Sequence, residues 1–286
     1  MNAFYVTVPF LIAAVSLLAF NHPKNHRSET LVNEYNTLGE RCSGTSFVDA
    51  LIKANFTTVK RSQRFAHKHF FPWFDLPESR EFVLPPWKID ENAFLQDSDN
   101  NFFVLVVRNH EDWLRSFYFQ PFYVPNINKN NGFLHFIAND WKIDLQILAR
   151  DYYRTLLPEG WTFKWPYELE NGYYDSNVYQ RRDFKNIFEL RSYKMRNYLQ
   201  IGSKVQNFIV LKYEDVREDP EGCINFISEY FCIPKCEPFV PVIKYKGIEN
   251  AALYAERSYP PIPDYIQIFI QKYLDRDVEE LVFSEQ

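Results

Sequence analysis

Short apolar runs alternate with amphipathic stretches along this chain, and polar loops separate them. The clearest run is 102–107, six apolar residues of β-branched and aromatic type closed by Arg108. It predicts a buried strand of a parallel sheet. Asn109 then suits a helix N-cap, with Glu111 and Asp112 in the first turn and Trp113, Ser116 and Phe117 on the helix before Pro121 stops it. An earlier unit has the same grammar. A short apolar strand ends at Gly39, a small polar loop follows, and Phe47, Ala50, Leu51 and Ala54 recur at helical spacing. A third strand, 207–211, leads through 212–220 into a helix carrying Cys223, Ile224, Phe226, Ile227 and Phe231. Further helices are predicted over 183–200 and, as the last element, over 266–274 after the Pro-rich 258–263; a helical patch lies near 139–156. Residues 75–98 lack periodicity and read as a surface loop, 122–177 is otherwise irregular and aromatic, and there is no internal repeat.

Composition narrows the classes. With 286 residues, 46% hydrophobic and 18% aromatic, the chain can bury a large core, and one domain of about 250 residues fits. A net charge of −5 argues against non-specific nucleic-acid binding but leaves room for a local basic cleft. Four cysteines are too few for a disulfide scaffold. Cys42 lies in the early loop, Cys223, Cys232 and Cys236 lie near one another, and none has the paired spacing of a zinc site, so no metal is expected. A Cys232–Cys236 or a Cys223–Cys232 bridge both stay open. Residues 3–20 are an uncharged, 18-residue apolar run interrupted by Pro9, which suits a signal peptide or a marginal membrane anchor. Residues 1–27 are therefore set apart from 28–286, and entry into the secretory pathway is expected, with a cytoplasmic chain as the alternative. Asn55-Phe56-Thr57 is a glycosylation sequon, a pattern that also arises by chance.

Three stretches carry candidate chemistry. After Gly39, the loop containing Ser43, Gly44, Thr45 and Ser46 gives strand, phosphate-sized loop and helix in succession. Free amides of a first helical turn and nearby hydroxyls can bind anionic oxygens; an ordinary capped turn before a core helix is the plain alternative. Arg108 stands at the carboxyl end of a strand, where open α/β sheets bind ligands, or else anchors a structural salt bridge. His67, Lys68 and His69 sit together among aromatics. A histidine there could take a proton from a hydroxyl and a lysine could hold charge on a leaving group; alternatively they are satisfied polar residues on an aromatic strand. Arg181, Arg182, Lys185, Arg191, Lys194, Arg196 and Lys204 form a basic stretch that reads by default as a solvated helix face, and alternatively as a contact for an anion.

In this order the pieces resemble the sulfotransferases that use 3′-phosphoadenosine-5′-phosphosulfate. Cys42-Ser43-Gly44-Thr45-Ser46 looks like the family's 5′-phosphosulfate loop, usually Lys-Ser-Gly-Thr-Thr. Arg108 to Trp113 with Ser116 resembles its 3′-phosphate motif, including the eight-residue interval from Arg to Ser. Tyr213-Glu214-Asp215-Val216 with Asp219-Pro220 resembles its Tyr-Glu-Asp-Leu segment, and Lys246-Gly247 the end of its Arg-Lys-Gly loop, with Tyr245 in place of the arginine. Region 121–205, where an acceptor would bind, is not covered.

The resemblance implies an α/β fold: a single three-layer domain over 28–286 with a central parallel sheet, related to the P-loop nucleotide kinases. It also implies sulfuryl transfer from that nucleotide, as co-substrate and without a metal, to an acceptor hydroxyl or amine, with a glycan or small alcohol favoured and a Golgi membrane or lumen as the place. His69 would act as base, with His67 its rival. Arg41, Cys42, Ser43, Gly44, Thr45 and Ser46 would hold the 5′ end, and Arg108 and Ser116 the 3′-phosphate, with Lys246 and Gly247 alongside. Cys42 replaces the family's lysine, so Arg41 or Lys68 would have to supply that charge, and a catalytically degenerate nucleotide- or glycan-binding protein is the alternative. An ATP- or GTP-using P-loop enzyme would need Gly-Lys-Ser/Thr, which the chain lacks.

Overall fold

Alternation of side chains along three strands builds the centre of the molecule. The computed structural model describes residues 31–62, 98–121, 131–141, 184–245, 252–253 and 258–283. Strands β1 (Glu34–Leu38), β2 (Lys60–Arg61), β3 (Asn101–Val107) and β4 (Phe208–Lys212) form one all-parallel sheet in the order β2-β1-β3-β4. Every residue of β3 is buried, because both its faces are covered. Phe102, Val104 and Val106 face one side with Tyr35, Ile209 and Leu211; they pack on Phe47, Val48, Leu51 and Ile52 of helix α1 (Thr45–Asn55). Phe103, Leu105 and Val107 face the other.

The remaining helices are α2 (His110–Phe119), α3 (Phe133–Ala138), α4 (Ile187–Gly202), α5 (Tyr213–Glu218), α6 (Pro220–Phe231), α7 (Asp264–Tyr273) and α8 (Arg276–Phe283). Helices α5 and α6 join α1 on the first face through Val216, Cys223, Ile224 and Ile227. On the second face lie α4, through Met195, Tyr198 and Ile201, and α8, through Val278 and Val282. This is a three-layer α/β arrangement, and each fully buried Leu, Ile or Phe contributes about 1.5–3 kcal/mol to it. A third, aromatic cluster joins α2, α3, α4 and α7 around Trp113, Phe117, Phe136, Trp141 and Phe188. A separate antiparallel pair, β5 (Lys244–Tyr245) and β6 (Ala252–Leu253), completes the described elements.

Local signals explain the helix starts. Asn109 caps α2 by accepting from the Glu111 amide, Asn186 caps α4, and Asp219 with Pro220 at the first position starts α6. One expectation needs correction. The chain does not end its elements at 274, since α8 follows. Of the helical patch near 139–156, residues 142–156 lie outside the described residues; 139–141 are not helical, since α3 ends at Ala138 and Trp141 forms an isolated bridge with Phe184. The sequon residue Asn55 is fully buried, in keeping with a chance match. Its amide nitrogen donates to the Leu51 and Val240 carbonyls, at 3.0 and 2.9 Å, and its oxygen accepts from the Val240 amide at 2.8 Å. It serves as an inserted peptide group between α1 and residue 240, leaving no nitrogen for a glycan. All four cysteines are free thiols, so neither bridge forms. No helix among the described residues is long and apolar enough to cross a membrane; residues 3–20 lie outside them.

Candidate functional site

The chain leaves β1 for β2 on one side and returns through β3 on the other, so the sheet changes direction between β1 and β3. In open α/β sheets, ligands bind beyond the carboxyl ends of the strands at that point. Residues 39–44 leave β1 there, and Arg108 follows β3 there.

The loop is held from within. Gly44 has φ +93°, and a β-carbon at this position would lie 2.0 Å from Cδ2 of Tyr213, whose ring closes over the loop. Cys42 also takes positive φ, at 63°. Glu40 is the loop's organiser. Its Oε1 accepts from the Arg41 amide at 2.7 Å and from Arg41 Nε at 3.2 Å, and Nζ of Lys194 on α4 stands 3.0 Å from its Oε2. Its carbonyl accepts from the Ser43 hydroxyl at 2.6 Å. Burial alone would raise the Glu40 carboxyl, but the charges of Lys194 and Arg41 outweigh it and hold the pKa below the usual carboxylate range. The Arg41 guanidinium is buried and lies 4.9 Å from the centre of the Phe117 ring, while Trp113 Nε1 donates to the Arg41 carbonyl at 2.8 Å. Among the described residues, the amides of Cys42, Gly44 and Thr45 meet no acceptor.

The second half is built around Arg108. One terminal nitrogen donates to the Cys42 carbonyl at 3.1 Å, the guanidinium lies 4.9 Å above the Tyr213 ring, and buried Nε has no acceptor among the described residues. Ser116, also buried, lies one helical turn beyond Asp112 on α2, with its hydroxyl within hydrogen-bond reach of the Cys42 sulfur. Burial pushes the Cys42 thiol up to about 11 against the lowering pull of Arg41, Ser116 and Arg108, so it is a neutral thiol at pH 7. The Asn109 amide donates to Glu214 Oε1 at 3.1 Å; burial raises the Glu214 carboxyl.

Behind Arg108 stands a buried ion pair. Arg191 donates from Nε and Nη2 to the two carboxylate oxygens of Glu279 at 2.6 and 2.9 Å, and from Nη2 to the Arg108 carbonyl at 2.9 Å. Burial would raise the Glu279 carboxyl, but Arg191 and the His110 hydrogen bond bring it down to about 2. The solvated-face reading of the basic helix is thus overturned for Arg191 and Lys194, which are 3% and 1% exposed. Helical spacing of 191 and 194 on one face was the available signal; their partners, Glu279 and Glu40, lie too far along the chain to be inferred.

The structure therefore brings Arg41, Cys42, Ser43, Gly44, Thr45 and Ser46 together with Arg108 and Ser116. His67, Lys68, His69, Lys246 and Gly247 lie outside the described residues. Tyr213, read from the sequence as structural, forms a wall shared by Gly44 and Arg108. Among the described residues no group of three or more His, Cys, Asp or Glu could hold a metal ion. Compared with family models, curated proteins and solved structures, the chain matches none.

Proposed function

We propose that this chain is a sulfotransferase that takes 3′-phosphoadenosine-5′-phosphosulfate as donor and an acceptor hydroxyl or amine, a glycan or small alcohol being favoured. The observation that carries the reading is the meeting at Cys42: its carbonyl accepts from Arg108 and its sulfur lies beside Ser116, so two motifs more than sixty residues apart share one edge of the sheet. The residues fit such a nucleotide. Among the described residues, a buried Nε on Arg108 and three loop amides meet no acceptor, and such donors suit anionic oxygens. Arg108 and Ser116 would hold the 3′-phosphate, and the amides of Cys42, Gly44 and Thr45 the 5′-phosphate. The nucleotide supplies an activated sulfuryl group; His69, or His67 in its place, would take the acceptor's proton, with Lys68 beside it. An apolar run at 3–20 supports placing the chain in the secretory pathway at the Golgi membrane or lumen.

One feature favours the second reading, a nucleotide- or glycan-binding protein without transfer. Cys42 is neutral where the family carries lysine, and Arg41, the nearest substitute, is bound to Glu40. The decisive experiment is single-turnover sulfate transfer to pooled glycans and small alcohols by wild type and Cys42→Lys. Transfer by wild type supports the enzyme; an inactive wild type whose Cys42→Lys form transfers sulfate selects the binder. His69→Ala should lower the rate about a hundredfold or more with nucleotide affinity unchanged.

A further inference from the structure

Two buried cations on one face of α4 reach the two halves of the site. Arg191 and Lys194 are three residues apart, hence neighbours on the helix surface. Lys194 grips Glu40, whose carboxylate and carbonyl together bind Arg41 and Ser43 and so set the loop's course. Arg191 grips the backbone carbonyl of Arg108, and Glu279 from α8 fixes the guanidinium with two short hydrogen bonds. No other described helix makes such a bond to both elements through charged side chains. Three residues span about 4.5 Å along the helix axis.

We infer that α4 is the gauge of the site, with Lys194 and Arg191 as positioning residues that separately hold loop 39–44 and the Arg108 backbone, and so set the distance between two anionic groups on one ligand. The inference deepens the nucleotide reading and rests on it for the ligand; the positioning itself does not need the ligand. A ligand with two anionic groups at matching separation would feel both anchors, and a ligand with one would feel only the nearer.

The test uses the full chain in three forms: wild type, Lys194→Met and Arg191→Met. Amide hydrogen exchange without ligand should rise selectively, in 39–47 for Lys194→Met and in 107–113 for Arg191→Met. Binding is read with adenosine 3′,5′-bisphosphate and adenosine 5′-monophosphate. Lys194→Met should weaken both by a similar factor of about ten, whereas Arg191→Met should weaken the bisphosphate about tenfold and the monophosphate little. If a methionine variant does not fold, Lys194→Arg and Arg191→Lys replace them; each keeps the charge but alters its reach, and the same segment-selective pattern is expected. Equal changes in both segments from either variant, or none in either, would overturn the gauge. Selective exchange in the variants, with a wild type that binds neither nucleotide, would uphold the gauge while removing the nucleotide reading.

Discussion

The loop half and the Arg108 half of the site are built on opposite plans. In the loop, Arg41 and Lys194 both pair with Glu40, and the amides of Cys42, Gly44 and Thr45 meet no acceptor among the described residues. Around Arg108, the guanidinium keeps a buried donor with no acceptor among the described residues, and its ion-paired neighbours, Arg191 and Glu279, stand behind it. The contrast teaches that the loop contributes shape and oriented amides, whereas Arg108 contributes charge. Affinity for an anion should then respond directly to Arg108, and to the loop through its folded shape.

The comparison breaks most violently at Gly44. Gly44→Ala drives a methyl group into the Tyr213 ring at positive φ, and should cost roughly 3–5 kcal/mol of stability, read by urea unfolding. Glu279→Gln strikes the Arg108 half from behind. The folded carboxyl sits near 2, below its unfolded value, so its contribution is present above about pH 4.5 and is lost as pH falls toward 2. Wild type should therefore shed on the order of 3 kcal/mol across that window, and Glu279→Gln should show a flatter pH dependence and a lower stability at pH 7. Next comes Arg108→Ala, expected to weaken a 3′-phosphorylated nucleotide by about tenfold or more at little cost to folding. A nucleotide lacking the 3′-phosphate is the control, and equal binding of both by wild type would remove the role. Cys42→Ala sits at the joint of the two halves and should change least. It forfeits only a weak 3.5 Å contact to the Gln120 carbonyl and the Ser116 partner, under about 1 kcal/mol. Iodoacetamide at pH 7 should accordingly label exposed Cys232 well before Cys42.

How far the sequence reaches can be seen at the same residues. The apolar run 102–107, the Asn109 cap and the Pro220 start are local, and each is found within a residue or so of its place in β3, α2 and α6. Strand β1 is less apolar than its position suggests, since Asn36 and Thr37 are buried there, and helical spacing after Gly44 located the loop better than the strand did. The loop's meeting with Arg108 was legible through motif order alone. What stayed hidden was who neutralises whom. Lys194 is 154 residues from Glu40, and Arg191 is 88 from Glu279, so a run of basic residues reads as solvated until tertiary packing buries it. The sequon shows the same limit: nothing local tells that the Asn55 side chain is spoken for by residue 240.

The Arg191–Glu279 clamp also has a consequence in time. A ribosome makes Arg191 88 residues before the carboxylate at 279, roughly 4–18 s at ordinary synthesis rates. Throughout that interval the nascent chain holds a guanidinium whose destination is a buried position and whose counter-charge has not yet been translated. The sheet can assemble once β4 has emerged, but the Arg108 end cannot set until the final turns of α8 arrive. A chain interrupted before Glu279 would carry every residue of both motifs and still lack the clamp that holds the second one in place.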